Sequence, residues 1–271
     1  MKFILHNIQY GNGKRTMGRK TPLEQTQKCQ AIIRTLNSHY PKEQRASIRV
    51  ADLGCLEGGY TVAFARNGYN ALGIEAREEN LAKCRFIKDQ LKLDNLTFVK
   101  EDVKKMERFG QFDVIFCSGL LYHLDKPAEF INLIGKLATK MVIIQTHYAQ
   151  PIDNYYDNKS KAFLNRVKWK LIGHQPLKVN YNLSTLTTNE GKKGRWFYEY
   201  EEETSRAEIE HNLKAAFSNR RSFWLTKREL LKTIKEAGFS IVYEQYDFLE
   251  DIVNDKYIEI KDRSLFIGIK T

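Results

Sequence analysis

Two features of the chain have the residue types and spacing of a nucleotide-binding site: a glycine-bearing turn, Gly-Cys-Leu-Glu-Gly-Gly at residues 54–59, and the acid Glu75. Glycine lets the backbone approach a ligand where a Cβ atom would intrude. Glu75 follows the start of the turn by about 20 residues, a separation at which an acid can accept hydrogen bonds from both hydroxyls of a ribose. Together they predict a site for a nucleoside-containing cofactor.

The residue at position 56 indicates which kind of cofactor fits. A dinucleotide site carries a second glycine there, because the pyrophosphate must rest on the N-terminus of the following helix. Leu56 occupies this position, which favours a cofactor without a pyrophosphate. The segment resembles the first motif of the class I S-adenosylmethionine-dependent methyltransferases, acidic-x-Gly-x-Gly-x-Gly. Asp52, Gly54 and Gly58 match that motif, and Leu56 departs from it.

The resemblance implies that S-adenosylmethionine is the cofactor and S-adenosylhomocysteine the product. It implies that Asp52 faces the cofactor's ammonium group. It also implies that Asp102 contacts the adenine amino group, with Glu101 as the alternative, and that Val103 adds a backbone amide. The Ser-Gly pair after the fourth predicted strand would lie beside the methionine portion. The residues expected to bind the cofactor are Asp52, Gly54, Leu56, Gly58, Glu75, Ala76, Asp102, Val103, Ser118 and Gly119.

Two histidines are candidates for a general base. His123 and His147 follow the fourth and fifth predicted strands, so both are expected near the cleft at the carboxyl ends of the strands. A neutral imidazole there can take a proton from a hydroxyl group or an acidic carbon, whereas an amine acceptor would need neither histidine. Methylation of oxygen, nitrogen or carbon therefore stays open. No metal is expected, because Asp153 and Asn154 have no third ligand at a fitting spacing.

Hydrophobic patterning and turn residues predict the elements that must position these groups. Strands are predicted over 48–53, 71–74, 97–100, 112–117, 141–145, 241–248 and 265–269. Helices are predicted over 61–66, 127–138 and 226–237. A capping box of Thr226 and Glu229 is expected to start the last helix. This order matches the methyltransferase arrangement, an α/β fold with a Rossmann-like, seven-stranded, mostly parallel sheet and helices on both faces.

The chain is predicted to have three parts. Residues 46–147 and 226–271 form the cofactor-binding core, and residues 1–45 form a basic N-terminal extension with a helix over 22–36. Residues 148–225 form a lid inserted between the fifth strand and the following helix, because this interval is far longer than an ordinary connection. We expect the N-terminal helix and the inserted lid to fold over the cofactor.

The inserted lid is rich in aromatic residues, which suit the lining of a pocket. Within it, helices are predicted over 164–172 and 207–217 and a strand-like segment over 195–200. The residues expected to contact the methyl acceptor are Tyr122, Tyr148, Trp196 and Tyr198.

The distribution of charge along the chain indicates the chemical class of the methyl acceptor. The net charge is +11. Residues 1–50 carry ten basic and two acidic side chains, and residues 148–225 carry thirteen and nine. A basic cover over the cleft favours an anionic acceptor. The basic residues are spread out and no nucleic-acid-binding motif occurs in these regions, so a small anionic or aromatic molecule is expected ahead of a nucleic acid. The alternatives are a methyltransferase acting on tRNA or rRNA, whose binding would depend steeply on salt, and a non-catalytic module that binds a nucleoside cofactor.

The remaining composition narrows the class of protein. The four cysteines include no Cys-x-x-Cys pair, so they are interpreted as reduced thiols of a cytoplasmic protein. No apolar run reaches the ~18 residues of a membrane span, and the first residues make a poor signal peptide. A membrane protein is therefore not expected, and the sequence does not predict the oligomeric state.

Overall fold

A computed structural model describes residues 1–150, 167, 183–246 and 262–271. The strands are β1 (Gln9–Tyr10), β2 (Lys14–Arg15), β3 (Arg49–Leu53), β4 (Asn70–Glu75), β5 (Leu96–Lys100), β6 (Phe112–Ser118), β7 (Ala138–His147), β8 (Thr187–Asn189), β9 (Lys192–Tyr198), β10 (Arg221–Leu225), β11 (Ile241–Gln245) and β12 (Arg263–Ile269). The α-helices are α1 (Gln27–His39), α2 (Gly59–Arg66), α3 (Glu78–Leu91), α4 (Pro127–Leu137), α5 (Arg206–His211) and α6 (Lys227–Glu236). Short 3-10 helices cover Leu23–Gln25, Lys42–Ser47, Val103–Phe109 and Leu121–His123.

Seven strands form the central sheet, in the spatial order β11-β12-β7-β6-β3-β4-β5. The neighbours from β7 to β5 are parallel, and β12 runs antiparallel to both β7 and β11. The predicted seven-stranded, mostly parallel sheet is therefore confirmed. Parallel strands end at a common edge, where the loops after β3, β4, β5 and β6 can meet around one ligand.

Side chains that alternate along the central strands divide the core into two layers. Val50 belongs to a cluster that includes buried residues of α1, α2 and α3. Its neighbour Ala51 belongs to a second cluster that includes buried residues of α4 and α6. Because successive strand residues point to opposite faces, the two clusters lie on opposite sides of the sheet. This confirms the prediction of helices on both faces.

The described part of residues 148–225, the segment predicted to form a lid, contains a small antiparallel sheet, ordered β10-β9-β8. Its last strand is bonded to the core along the edge that does not pair with β9: the Phe223 amide donates to the Leu124 carbonyl, and the Ala149 amide donates to the Leu225 carbonyl, each at 2.8 Å. The strand β10 leads directly into α6. This sheet is thereby fixed against the loop after β6.

The start of α6 shows half of the predicted capping box. The Thr226 hydroxyl accepts a hydrogen bond from the Glu229 amide at 3.3 Å. The Thr226 amide donates instead to the Lys193 carbonyl, at 3.0 Å. The reciprocal bond from Thr226 to Glu229 is therefore replaced by a contact with β9.

Other elements differ from the predicted ones. The helix α3 was not predicted, and the helix predicted over 207–217 is confined to Arg206–His211. Apart from residue 167, the predicted helix over 164–172 lies outside the described residues. In the part of the chain that the structure describes, no helix is both long enough and apolar enough to cross a bilayer.

Candidate cofactor and substrate site

A cleft of about 620 Å3 opens at the carboxyl ends of the central strands. Its walls come from the loops after β3, β4, β5 and β6, from the N-terminal segment, from residues 213–219 and from Arg263. The predicted residues that line it are Asp52, Gly54, Leu56, Glu75, Ala76, Asp102, Val103, Ser118, Gly119, Tyr122 and His123. The cleft thus brings most of the predicted cofactor residues together with one candidate base.

The backbone of the turn after β3 explains its glycines. Gly54 and Gly58 have φ angles of +64° and +78°, and Leu56 has φ of +54°. That left-handed conformation costs a residue with a side chain about 1–2 kcal/mol. A Cβ atom on Gly58 would lie 2.6 Å from Cζ of Phe98 in β5. Gly58 does not line the cleft, so its missing side chain serves packing, whereas Gly54 and Leu56 face the ligand space.

Glu75, at the end of β4, is buried, with only 5% of its surface exposed. Its Oε2 accepts from the Leu56 amide at 3.0 Å, and its Oε1 accepts from the Arg77 amide at 2.8 Å. Burial raises the pKa of this carboxyl group, and the bonds to Arg77 and Leu56 oppose the rise. Each carboxylate oxygen can accept a second hydrogen bond. The residue therefore fits a partner that donates two hydroxyls, such as a ribose.

Asp52, at the end of β3, is buried in the cleft wall. It accepts a hydrogen bond from the Thr61 hydroxyl at 2.6 Å. Burial raises the pKa of Asp52 to about 7, the Thr61 bond opposes the rise, and the charge of Glu75 adds to it. Within the described residues Asp52 has no cationic side chain as a partner. An ammonium group would supply that charge, so the site fits the amino-acid end of the predicted cofactor.

Asp102 and Glu101, the alternatives for the adenine contact, have different surroundings. Asp102 lines the cleft and caps the 3-10 helix Val103–Phe109 by accepting from the Lys104 amide at 2.9 Å. Glu101 does not line the cleft and is paired with Arg108, whose hydrogen bond lowers the pKa of the Glu101 carboxyl group. Asp102 is therefore the acid of this pair that faces the ligand space.

His123 also lines the cleft, in the loop after β6. Its Nδ1 lies 2.6 Å from Oε1 of Glu199. Glu199 was not among the predicted site residues. The side chain of Glu199 is only 3% exposed. The Ser222 hydroxyl donates to the same carboxylate oxygen at 2.6 Å, and the Ala216 amide donates to Oε2 at 3.4 Å. A buried, hydrogen-bonded carboxylate therefore orients the imidazole of His123.

Arg77 was also not predicted, although it follows Glu75 by two residues. It is 6% exposed and donates hydrogen bonds of 3.0–3.3 Å to four carbonyl oxygens within residues 209–216. Its guanidinium group also lies over the ring of Phe217, 5.2 Å from the centroid. Arg77 thereby holds residues 209–216 along the cleft, next to the loop that carries Glu75.

His147 and Tyr148 do not line the cleft. His147 stacks on Trp224 with ring centroids 4.7 Å apart, and its Nδ1 lies 3.3 Å from Oδ1 of Asp262. Tyr148 is buried in the second core layer against Phe266. Of the two histidines, only His123 is therefore placed where it can reach a ligand in the cleft.

Trp196 and Tyr198 also lie outside the cleft. They are two residues apart, so they share one face of β9. Trp196 packs against Phe223 with ring centroids 5.0 Å apart, and Tyr198 is 51% exposed. Alternation along the strand turns the next residue, Glu199, towards His123. The sequence signal that could have identified Glu199 is therefore its position between two aromatic residues at the end of a predicted strand.

Similar proteins were found by sequence and by structure. A protein-family model described as a methyltransferase domain matches residues 44–237. The ubiquinone biosynthesis O-methyltransferase of Rickettsia bellii is 25% identical over 116 residues, which are 42% of this chain and 46% of that protein. The enzyme of the same name from Acinetobacter baumannii is 32% identical over 89 residues, which are 32% of this chain and 38% of that protein. The match thus spans less than half of the length of these relatives.

Solved crystal structures are also similar in fold. The N-terminal domain of EvdMO1, crystallised in the presence of SAH and D-fucose, has a TM-score of 0.63 and 20% identity, covering 98% of this chain and 90% of that chain. Magnesium protoporphyrin IX methyltransferase from Synechocystis PCC 6803, with bound SAH, has a TM-score of 0.50 and 14% identity, covering 90% and 82%. The family model covers more than half of the chain, so the chain belongs to the S-adenosylmethionine-dependent methyltransferase family.

Proposed function

We propose that this methyltransferase transfers the methyl group of S-adenosylmethionine to a hydroxyl oxygen of a small molecule, with His123 as the general base. The observation that carries the proposal is the hydrogen bond of 2.6 Å between Nδ1 of His123 and the buried carboxylate of Glu199. His123 lines the same cleft as the predicted cofactor residues. The pairing of a histidine with a carboxylate suits proton abstraction from a hydroxyl group.

The arrangement supports a specific division of roles. Glu199 also accepts from Ser222, so its Oε1 acts as an acceptor and Nδ1 of His123 acts as the donor. With the proton on Nδ1, the Nε2 atom of a neutral imidazole is free to accept a proton from the acceptor hydroxyl. The carboxylate of Glu199 then stabilises the positive charge that develops on the ring. Glu199 acts through His123, so it is a positioning residue.

The cofactor supplies the electrophilic methyl group, and the protein must align the acceptor oxygen with it and exclude water. We assign the ribose hydroxyls to Glu75, the ammonium group to Asp52 and the adenine amino group to Asp102. The small residues Ser118 and Gly119 allow the methionine portion to approach the loop after β6. His123 follows this pair closely, which supports a position for the acceptor hydroxyl near the transferred methyl group.

The size of the cleft and the relatives support an oxygen acceptor on a small molecule. A volume of about 620 Å3 is within the usual range for small-molecule sites. The similar sequences belong to O-methyltransferases, and the N-terminal domain of EvdMO1 was crystallised with D-fucose, which carries hydroxyl groups. The names of these relatives and the hydroxyl groups of D-fucose support the proposal that His123 deprotonates an acceptor hydroxyl group.

The proposal is tested with His123→Ala and Glu199→Gln, using phenols and monosaccharides as acceptors and measuring formation of S-adenosylhomocysteine. We expect His123→Ala to reduce kcat by at least about 100-fold, because a positioned base contributes a factor of that size or more. Glu199→Gln should reduce kcat less and should shift the pH profile, since it alters the base only indirectly. Both variants should bind S-adenosylhomocysteine as the wild type does.

His39→Asn is the matched control, because His39 lies at the end of α1 and does not line the cleft. It should leave kcat unchanged. An unchanged kcat for a hydroxyl acceptor in His123→Ala, with intact folding, would contradict the role of His123.

A further inference from the structure

The side-chain amide of Asn219 lies in the wall of the cleft, next to the proposed base. Asn219 lines the cleft together with His123. Its Nδ2 atom donates to the backbone carbonyl of His123 at 2.9 Å and to that of Arg221 at 2.8 Å, and it lies 3.3 Å from the Ser222 hydroxyl oxygen. This amide therefore joins the loop that carries His123 to the start of β10.

The partners of Asn219 determine which way its amide is turned. Carbonyl oxygens accept hydrogen bonds and cannot donate them, so the group that faces the carbonyls of His123 and Arg221 must be the NH2 group. The reversed orientation would place the Oδ1 atom against two carbonyl oxygens, with no hydrogen between them. The Oδ1 atom is therefore turned away from the loop and from β10.

The Oδ1 atom of Asn219 is buried and has no hydrogen-bond partner among the described residues. A buried amide oxygen without a partner is costly, because it has lost its bonds to water and gained none in return, and native proteins retain few of them. The oxygen can only accept a hydrogen bond. An unpaired acceptor in the wall of a ligand cleft is explained when the ligand itself supplies the missing donor.

Asn219 is also tied to the carboxylate that orients the base. The Ser222 hydroxyl, which lies next to Nδ2 of Asn219, donates to Oε1 of Glu199 at 2.6 Å. The same Oε1 atom pairs with Nδ1 of His123. These four side chains and the loop of His123 form one hydrogen-bonded group. A molecule held at His123 therefore also lies beside Asn219.

We propose that Asn219 determines the specificity for the methyl acceptor: its Oδ1 atom accepts a hydrogen bond from a second donor group of the acceptor, next to the hydroxyl that is methylated. The acceptor is therefore a molecule in which a hydroxyl or amino group neighbours the reacting hydroxyl. A molecule without that donor is bound more weakly, because the amide oxygen then stays unpaired. This inference rests on the proposed function, since it takes His123 as the place of the methylated hydroxyl.

Calorimetry on the full chain saturated with S-adenosylhomocysteine tests the role of Asn219. The first ligand pair is 2-aminophenol, which has a second donor, and 2-methoxyphenol, whose second oxygen can only accept. The best acceptor of the turnover assay and its derivative methylated on the neighbouring hydroxyl form the second pair. We expect the wild type to bind the donor member of a pair about tenfold or more tightly, the value of a hydrogen bond to a buried group. Asn219→Ala should lose this preference.

Three further variants separate this role from a general disturbance of the loop. Ser222→Ala removes a neighbour of Asn219 but keeps the Oδ1 atom, so it should retain the preference while its turnover falls. Asn132→Ala, at an exposed position of α4, is the matched control and should change neither affinity. Asn219→Leu fills the space of the amide and takes the place of Asn219→Ala if circular dichroism shows that the alanine variant is unfolded.

The proposal is overturned if the wild type shows no preference in either pair, or if the variants of Asn219 keep it. An amide oxygen that is satisfied by water alone would give the first result. The titrations involve no methyl transfer. Full turnover in His123→Ala, with a preference that depends on Asn219, would therefore contradict only the proposed function, and the reverse pair of results would contradict only the role of Asn219.

Discussion

The carboxyl group of Asp52 makes the stability of the cofactor-free protein depend on pH. The pKa of Asp52 is raised from 3.8 to about 7, chiefly by burial. Between these values the folded chain holds a proton at Asp52 that the unfolded chain has released. The free energy of unfolding of the cofactor-free protein therefore decreases as pH rises through this interval.

We expect Asp52→Asn to remove this contribution, on the order of 3 kcal/mol between pH 4 and pH 7. Glu75 also has a raised pKa, so it makes the free energy of unfolding decrease with pH in the same way. This pH dependence of Glu75 persists in the Asp52→Asn variant. Denaturant unfolding of both proteins at several pH values measures the difference. Asp94→Asn, at an exposed position, is the control. Identical pH dependence of the wild type and Asp52→Asn would refute the assigned pKa of Asp52.

Single residues differ in how far the sequence could identify them. Asp52, Glu75 and Asp102 lie within two residues of the carboxyl ends of short strands, so their place at the cleft follows from local pattern. Alternation beside β9 can indicate the face on which Glu199 lies, but its partner His123 is 76 positions away, and no local pattern encodes that contact. His147 ends a strand as well, but stacking on Trp224 keeps it from the cleft. Local pattern therefore predicts which residues end strands, and only tertiary packing decides which of them reach the ligand.

At the scale of elements, the central strands were predictable because they are buried on both faces and read as continuous apolar runs. The helix α3 was missed because its buried face includes the polar residues Asn80 and Lys83, which obscure the helical period. The helix predicted over 207–217 ends at His211, because the backbone of Asn212 leaves the helical conformation. Arg77 donates to the carbonyl groups of Ile209 and Glu210, so a side chain from a distant loop satisfies the end of α5.

We expect Arg77→Met to release the segment 209–217 from the cleft while retaining most of the side chain's apolar contacts. Four hydrogen bonds from a charged donor would be lost, leaving carbonyl groups that water can reach. Amide hydrogen exchange over this segment should become faster, and kcat should fall because Ala216 also contacts Glu199. Arg228→Met, on the exposed face of α6, is the control. Unchanged exchange over the segment in Arg77→Met would show that other contacts hold it.

At the scale of the whole molecule, the N-terminal segment is joined to the cofactor turn through Glu57. This carboxylate is fully buried and accepts from the amides of Ile4, Leu5 and His6 at 2.7–3.0 Å. The ammonium group of Lys83 lies 3.4 Å from it. Leu5 and His6 line the cleft, so the residue that holds them also shapes the ligand space.

We expect Glu57→Gln to lower the free energy of unfolding by about 3 kcal/mol, because it leaves Lys83 without a buried counter-charge. The amide nitrogen of the substituted side chain would also face backbone donors. Limited proteolysis should then cut within the first residues, and affinity for S-adenosylhomocysteine should fall. Glu43→Gln, at an exposed position, is the control. A Glu57→Gln protein with unchanged stability and the same cleavage pattern would contradict this anchoring role.

The hydrogen bond between His123 and Glu199 also has a consequence for the order in which the molecule folds. It closes a loop of 76 positions, and the bond from Arg77 to Ala216 closes one of 139. Contacts between such distant residues form late, because the entropy of loop closure must be lost before they stabilise the chain. On the ribosome, Arg263 is synthesised after every other residue that lines the cleft. Arg263 also begins β12, the last strand of the central sheet to be synthesised, so the core and the cleft are completed by the same final residues.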